Sequence, residues 1–142
     1  MNKDEIMKIL PHRNSMLLID EAYVDGDIAR GLKKITGDEW FLDGHFPNSP
    51  VVPGVILCEI MAQSVCVLMA DKMKENTLPY FTGLDKVKFK SMVKPGDTFE
   101  TECRIKRVCQ PFYFAEGVGK VDGKIAVKAE FSFAVIENKK EV

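Results

Sequence analysis

The stretch Gly44 to Gln63, GHFPNSPVVPGVILCEIMAQ, holds three groups that proton chemistry uses: His45, Glu59 and, behind Pro53, the backbone amide of Gly54. Histidine is the usual proton acceptor near neutral pH. Glu59 interrupts an apolar run, and burial disfavours a charged carboxylate, which suits it to give up a proton. The same position would also serve a structural carboxylate paired with Arg or Lys at a subunit interface. Gln63 follows Glu59 by four residues and shares its helix face, so that face meets either a cavity or a partner. Pro53 fits the first helical position, and Val52 has no side-chain oxygen to cap with. The amides of such a helix start, with Gly54 permitting close approach, can hydrogen-bond a carbonyl oxygen; water or a loop could equally satisfy them.

A base, an acid and a carbonyl-polarising amide are the three parts needed to eliminate water from a 3-hydroxyacyl thioester. The polarised carbonyl makes the C2 proton removable, and the C3 hydroxyl leaves once protonated. No metal and no cofactor are needed, and none is expected. Gly117-Val118-Gly119 lacks the third glycine of a dinucleotide loop, and the histidines and cysteines lack zinc-ligand spacing. Ser64 and Cys58 have no nucleophile turn around them. His12, beside a proline in LPHR, reads as an ordinary loop residue.

These groups must be held by something, and 142 residues suffice for one domain, 1–142, with a real core. Twenty Lys and Arg against 21 Asp and Glu leave a net charge of -1, without the basic excess nucleic acid demands. Cys58, Cys66, Cys103 and Cys109 read as reduced core thiols, and MNKDEIMKIL lacks the parts of a signal peptide; a cytoplasmic protein is expected. Val51 to Ala70 approaches a membrane span in length but contains Pro53, Glu59, Gln63 and Ser64, so no membrane span is expected.

Along the chain, Glu5 to Leu10 suggests a helical turn stopped by Pro11. Met16 to Val24, a turn at Asp25-Gly26 and DIARGLKKIT form a first hairpin. The spacing predicts a helix from Pro53 to about Lys74, with Lys72 and Lys74 suiting its C-terminal dipole and Asn76 as cap. Phe99, Thr101, Cys103 and Ile105 alternate with charged residues, as Val87 and Phe89 do with Lys86, Lys88 and Lys90. Asp122-Gly123 joins two further strands. The sum is an α+β domain in which an antiparallel sheet wraps one long apolar helix.

LPHRNSMLLID, GHFPNSPVVPGVILCEIMAQS, LDKVKFKSMVKPGD and VDGKIAVKAEF resemble, in order and over nearly the whole chain, segments of the bacterial 3-hydroxyacyl-[acyl-carrier-protein] dehydratases of type II fatty acid synthesis, the FabZ family. The resemblance implies a hot-dog fold. It makes His45 the base at C2, Glu59 the acid at the C3 hydroxyl and the Gly54 amide the carbonyl holder, with Gln63 and Phe46 in the substrate site. It implies an acyl carrier protein as partner. It also implies a homodimer that faces the histidine of one protomer with the glutamate of the other, commonly as a trimer of dimers. Two departures stand out: Asn48 where the family has glycine after GHFP, and Val52 where it has methionine. Asparagine tolerates left-handed backbone, and Val52 bears on the tunnel entrance and so on chain length. Lys86, Lys88, Lys90 and Lys94 form either a carrier-docking row or a solvated strand face. Phe112, Tyr113 and Phe114 form either a tunnel wall or ordinary core. The same acid and base would serve an enzyme that also isomerises trans-2 to cis-3 enoyl chains. A non-catalytic acyl-thioester binder would need neither, and a thioesterase would be expected to aim its acid at water.

Overall fold

The computed structural model describes residues 1–73 and 76–137. Its eight regular elements are α1 (Lys3–Met7), β1 (Glu21–Asp25), β2 (Ile28–Lys34), α2 (Gly54–Val65), β3 (Thr77–Phe89), β4 (Thr98–Cys109), β5 (Phe112–Val121) and β6 (Lys124–Glu137). The strands form one antiparallel sheet in the order β1-β2-β4-β5-β6-β3. Helix α2 packs against β2, β4, β5 and β6 from one side, so the sheet curls around it as the hot-dog arrangement requires. Its outward side chains are few because it is apolar on nearly every face, as a core helix must be.

Alternation decides what each strand buries. Phe99, Thr101 and Cys103 of β4 face the helix while Glu100 and Arg104 stay wet. Close contact between helix and sheet is made polar as well as apolar: Thr101 donates its hydroxyl to Ser64 Oγ at 2.7 Å, and Ser64 donates to the Ile60 carbonyl at 2.7 Å. Gly31 of β2 lies against both hydroxyls, and a Cβ there would overlap them.

Several boundaries differ from the sequence reading. Helix α2 ends at Val65 and tightens into a 3-10 turn over Cys66–Met69, well short of position 74. Ser64, bonded back to Ile60, offers the backbone a competing contact just before that change. A run apolar on all faces gives periodicity nothing with which to mark the end. Pro53 is the N-cap rather than the first helical residue. Asn76 does adopt a left-handed φ of 69°, but it opens β3 instead of capping the helix, and Lys74 lies outside the described residues. Helix α1 starts at Lys3 because Asn2 and Glu5 form a capping box. The first strand begins at Glu21, since residues 14–16 form a 3-10 turn, and the hairpin loop is Gly26-Asp27, with Asp25 paired to Ile28.

Strict alternation fails on β3. A bulge between Asp85 and Lys88 puts Lys86 at a φ of 51°, and Phe89 is exposed. Three cysteines are buried as expected; Cys109, at the end of β4, is exposed, and all four are free thiols. Among the described residues no helix is long and apolar enough to cross a membrane.

Candidate active site

His45 sits in a loop tied shut at both ends of residues 45–51. The Val51 amide donates to the His45 carbonyl at 2.8 Å, and the Ser49 amide donates to the Phe46 carbonyl at 3.0 Å. The His45 ring adds a third tie: its Nδ1 lies 3.0 Å from the Val51 carbonyl oxygen. A carbonyl can only accept, so Nδ1 carries the proton and Nε2 of the neutral ring keeps its lone pair. Phe46 stacks on the imidazole with centroids 4.3 Å apart and is itself exposed. Asn48 is not among the residues with positive φ; the turn takes its left-handed residue at Gly44 (φ 79°), so it does not depend on glycine at position 48.

The loop delivers the chain to α2. Ile56 and Leu57 both donate to the Pro53 carbonyl, whereas the amides of Gly54 and Val55 have no partner among the described residues. Two open N–H groups at a helix start are suited to a carbonyl oxygen that gathers negative charge. The Phe89 ring lies directly over Gly54, where a Cβ would stand 2.6 Å from its Cζ. Val52, just before, is buried and donates its amide to the Val93 carbonyl at 2.8 Å, which anchors the helix entrance to the β3–β4 connection.

Glu59 lies deeper on α2, with its side chain 19% exposed. Its Oε1 accepts from Gln63 Nε2 at 3.2 Å, and Oε2 has no hydrogen-bond partner among the described residues. Gln63 is fully buried and fully used: Nε2 also donates to the Met16 carbonyl at 2.8 Å, and Oε1 accepts from the Leu18 amide at 3.0 Å. The i, i+4 pair therefore meets the incoming chain before β1 and a small cleft together. That cleft, of about 120 Å³, is lined by His12, Glu59, Gln63, Cys66, Tyr80 and Phe81 among others.

His45 does not line this cleft. Within one chain the structure joins Glu59 to Gln63, and His45 to Phe46, and among the described residues no hydrogen bond or ion pair joins His45 to Glu59. His12, which the sequence reading set aside, is the surprise: its Nε2 stands 3.4 Å from Glu59 Oε1. No local signal pointed there, because the contact spans 47 residues and exists only once the N-terminal segment crosses the helix. Burial pushes the Cys66 thiol up to about 12, and Cys58 is also raised by burial, so neither is a ready thiolate nucleophile. Among the described residues no group of three His, Cys, Asp or Glu could hold a metal. Lys86 pairs with Glu130 at 3.6 Å, while Lys88, Lys90 and Lys94 are exposed without an ion pair among the described residues. Tyr113 is buried against Phe133 in the core, and Phe112 is exposed.

A model of the FabA-like domain family matches residues 10–130. The 3-hydroxyacyl-[acyl-carrier-protein] dehydratase FabZ of Caldicellulosiruptor bescii is 41% identical over 138 residues, covering 94% of this chain and 98% of that protein. The FabZ of Macrococcus caseolyticus is 44% identical over 138 residues, covering 94% of each. The chain belongs to the FabZ family. In fold, this FabZ chain is similar to the dehydratase heterocomplex ApeI:P from Xenorhabdus doucetiae, with a TM-score of 0.80 at 17% identity over 95% of this chain and 91% of that one. A hypothetical thioesterase with coenzyme A from Streptococcus pneumoniae matches at a TM-score of 0.61 and 13% identity, over 84% and 88% of the two chains. Those two likenesses speak to the hot-dog fold, and FabZ membership to the activity.

Proposed function

We propose that this FabZ chain removes water from (3R)-3-hydroxyacyl-[acyl-carrier-protein] to give the trans-2-enoyl thioester, with His45 as base and Glu59 as acid. Dehydration of such thioesters is the activity its full-length relatives are named for. The observation that carries the assignment of roles is the His45 ring, whose Nδ1 is committed to Val51 and whose Nε2 is therefore the basic nitrogen. The Gly54 amide holds the thioester carbonyl oxygen. His45 Nε2 then takes the C2 proton, the electron pair forms the C2–C3 double bond, and the C3–O bond breaks as Glu59 gives its proton to the hydroxyl. Water leaves, and His45 and Glu59 return to their starting states by exchanging one proton through the emptied site.

Because His45 neither contacts Glu59 nor lines its cleft within one chain, the working site takes its two halves from two protomers. Phe46, exposed and stacked on His45, then lies at the substrate side of that junction. Gln63 serves the substrate site through Glu59. β3 supports the dimer: it is a thirteen-residue strand at one edge of the sheet, next to β6 among the described residues, and Tyr80, Phe81 and Leu84 stand exposed along it. Four free thiols fit a reducing, cytoplasmic setting.

The test is mass-spectrometric turnover of a 3-hydroxydecanoyl-[acyl-carrier-protein] by wild type and Glu59→Gln. Wild type is expected to lose water, and the variant to fall by on the order of a hundred- to ten-thousandfold with an unchanged melting curve. Turnover by Glu59→Gln at the wild-type rate would remove Glu59 from the mechanism.

A further inference from the structure

We propose that His12 is a positioning residue for Glu59: together with Gln63 it holds the Oε1 edge of the carboxyl group, so that the transferable proton sits on Oε2. The inference rests on the dehydratase reading and adds a residue to it.

Three observations meet at this histidine. Its Nε2 is 3.4 Å from Glu59 Oε1, on the same oxygen that accepts from Gln63 Nε2. Its Nδ1 is buried and is the one such side-chain atom without a hydrogen-bond partner among the described residues. Its backbone is clamped by the next residue, since Arg13 Nη1 donates to the carbonyls of Leu10 and His12, both at 2.7 Å, and Nη2 donates to the Met7 carbonyl at 2.9 Å. A loop histidine with no task would have no reason to be held this way over a half-buried carboxyl.

The orphaned Nδ1 chooses the tautomer. A proton there would bury a donor with nothing to receive it, which is rarer in proteins than an unsatisfied acceptor. With the proton on Nε2, the N–H sits on the nitrogen 3.4 Å from Glu59 Oε1, an electrostatic contact rather than an aligned hydrogen bond. That oxygen then has the Gln63 hydrogen bond and the positive end of the His12 N–H beside it, and is the less favourable of the two to carry a proton. The acid's proton resides on Oε2, the oxygen without a partner among the described residues. Once it passes to the departing hydroxyl, the same two donors meet the negative charge left on the carboxylate. Their interaction is thus stronger after proton transfer than before, which is the condition for lowering the barrier rather than tightening binding.

The experiment compares kcat and KM of wild type, His12→Gln, His12→Asn and His12→Leu on one 3-hydroxyacyl-[acyl-carrier-protein] substrate, with a thermal melt of each. Glutamine places an N–H near the position of Nε2. Asparagine is as polar but too short, and leucine keeps much of the volume without any donor. Expected are kcat losses of about ten- to a hundredfold in His12→Asn and His12→Leu with KM held within about twofold, below the roughly hundred- to thousandfold cost of removing a well-aligned charge-stabilising donor. His12→Gln should recover most of the loss. If leucine does not fold, the glutamine and asparagine pair decides alone. Wild-type kcat in His12→Asn, or an equal loss in His12→Gln and His12→Asn, would overturn the proposal while leaving the dehydratase reading intact. Absence of dehydration by wild type would instead overturn that reading.

Discussion

At the scale of single residues, Gly54 is the position where stability and activity should part company. Alanine is favoured over glycine in helices by up to about 1 kcal/mol, yet its Cβ would enter the space now held by the Phe89 ring, beside an amide with no partner among the described residues. The Gly54→Ala variant is therefore expected to keep or raise its melting temperature, because the exposed ring can swing aside. Its kcat should fall by about ten- to a hundredfold as the carbonyl loses its approach to the helix start. Steady-state kinetics alongside calorimetry checks both halves, and an unchanged kcat would mean that the Gly54 amide is not the carbonyl holder. The residue types behind the proposed chemistry stand out in the sequence itself: a histidine in a proline-rich loop, a carboxylate in an apolar run, a glycine at a helix start. His12 does not, because the value of a loop histidine depends on which surface the loop crosses.

At the scale of elements, the chain before β1 and helix α2 are joined through one amide. Gln63 satisfies the Met16 carbonyl and the Leu18 amide and also reaches Glu59. Replacing it with leucine keeps the volume but leaves two backbone groups without their partner, at about 1–3 kcal/mol each where they are buried. Gln63→Leu should lower stability by roughly 2–4 kcal/mol in urea unfolding and lower kcat as well, since Glu59 loses a donor. A stable Gln63→Leu protein would show that water replaces the amide. The hairpins were readable because two-residue turns have strong local chemistry, at Asp122-Gly123 in register and at Asp25-Gly26 one residue early, the loop being Gly26-Asp27. The end of α2 and the bulge in β3 were not, because both answer to packing: Ser64 turns back on Ile60, and Lys86 takes a left-handed φ within an edge strand.

At the scale of the whole molecule, a site divided between protomers has a signature that no single-chain site shares. His45→Gln and Glu59→Gln should each be inactive as homodimers. A mixed dimer combines two defects in one site and places the intact His45 opposite the intact Glu59 in the other. Unfolding the two variants together and refolding them should restore about a quarter of wild-type activity, half of the dimers being mixed and each having one good site. No recovery, with mixed dimers demonstrated by differential tagging and native mass spectrometry, would place both groups in one chain. The sequence offers this proposed arrangement only through resemblance, because nothing in periodicity or spacing states which chain a residue will face.

Strand β3 contributes Pro79, Tyr80 and Phe81 to the cleft beside Glu59, and the same strand offers the open edge of the sheet. In the proposed dimer, a substitution there that refines how two copies meet would also redraw the wall of the cleft beside the proposed acid. Descendants of this sequence could not drift in assembly while holding their substrate preference fixed, nor the reverse; the two traits would be inherited together.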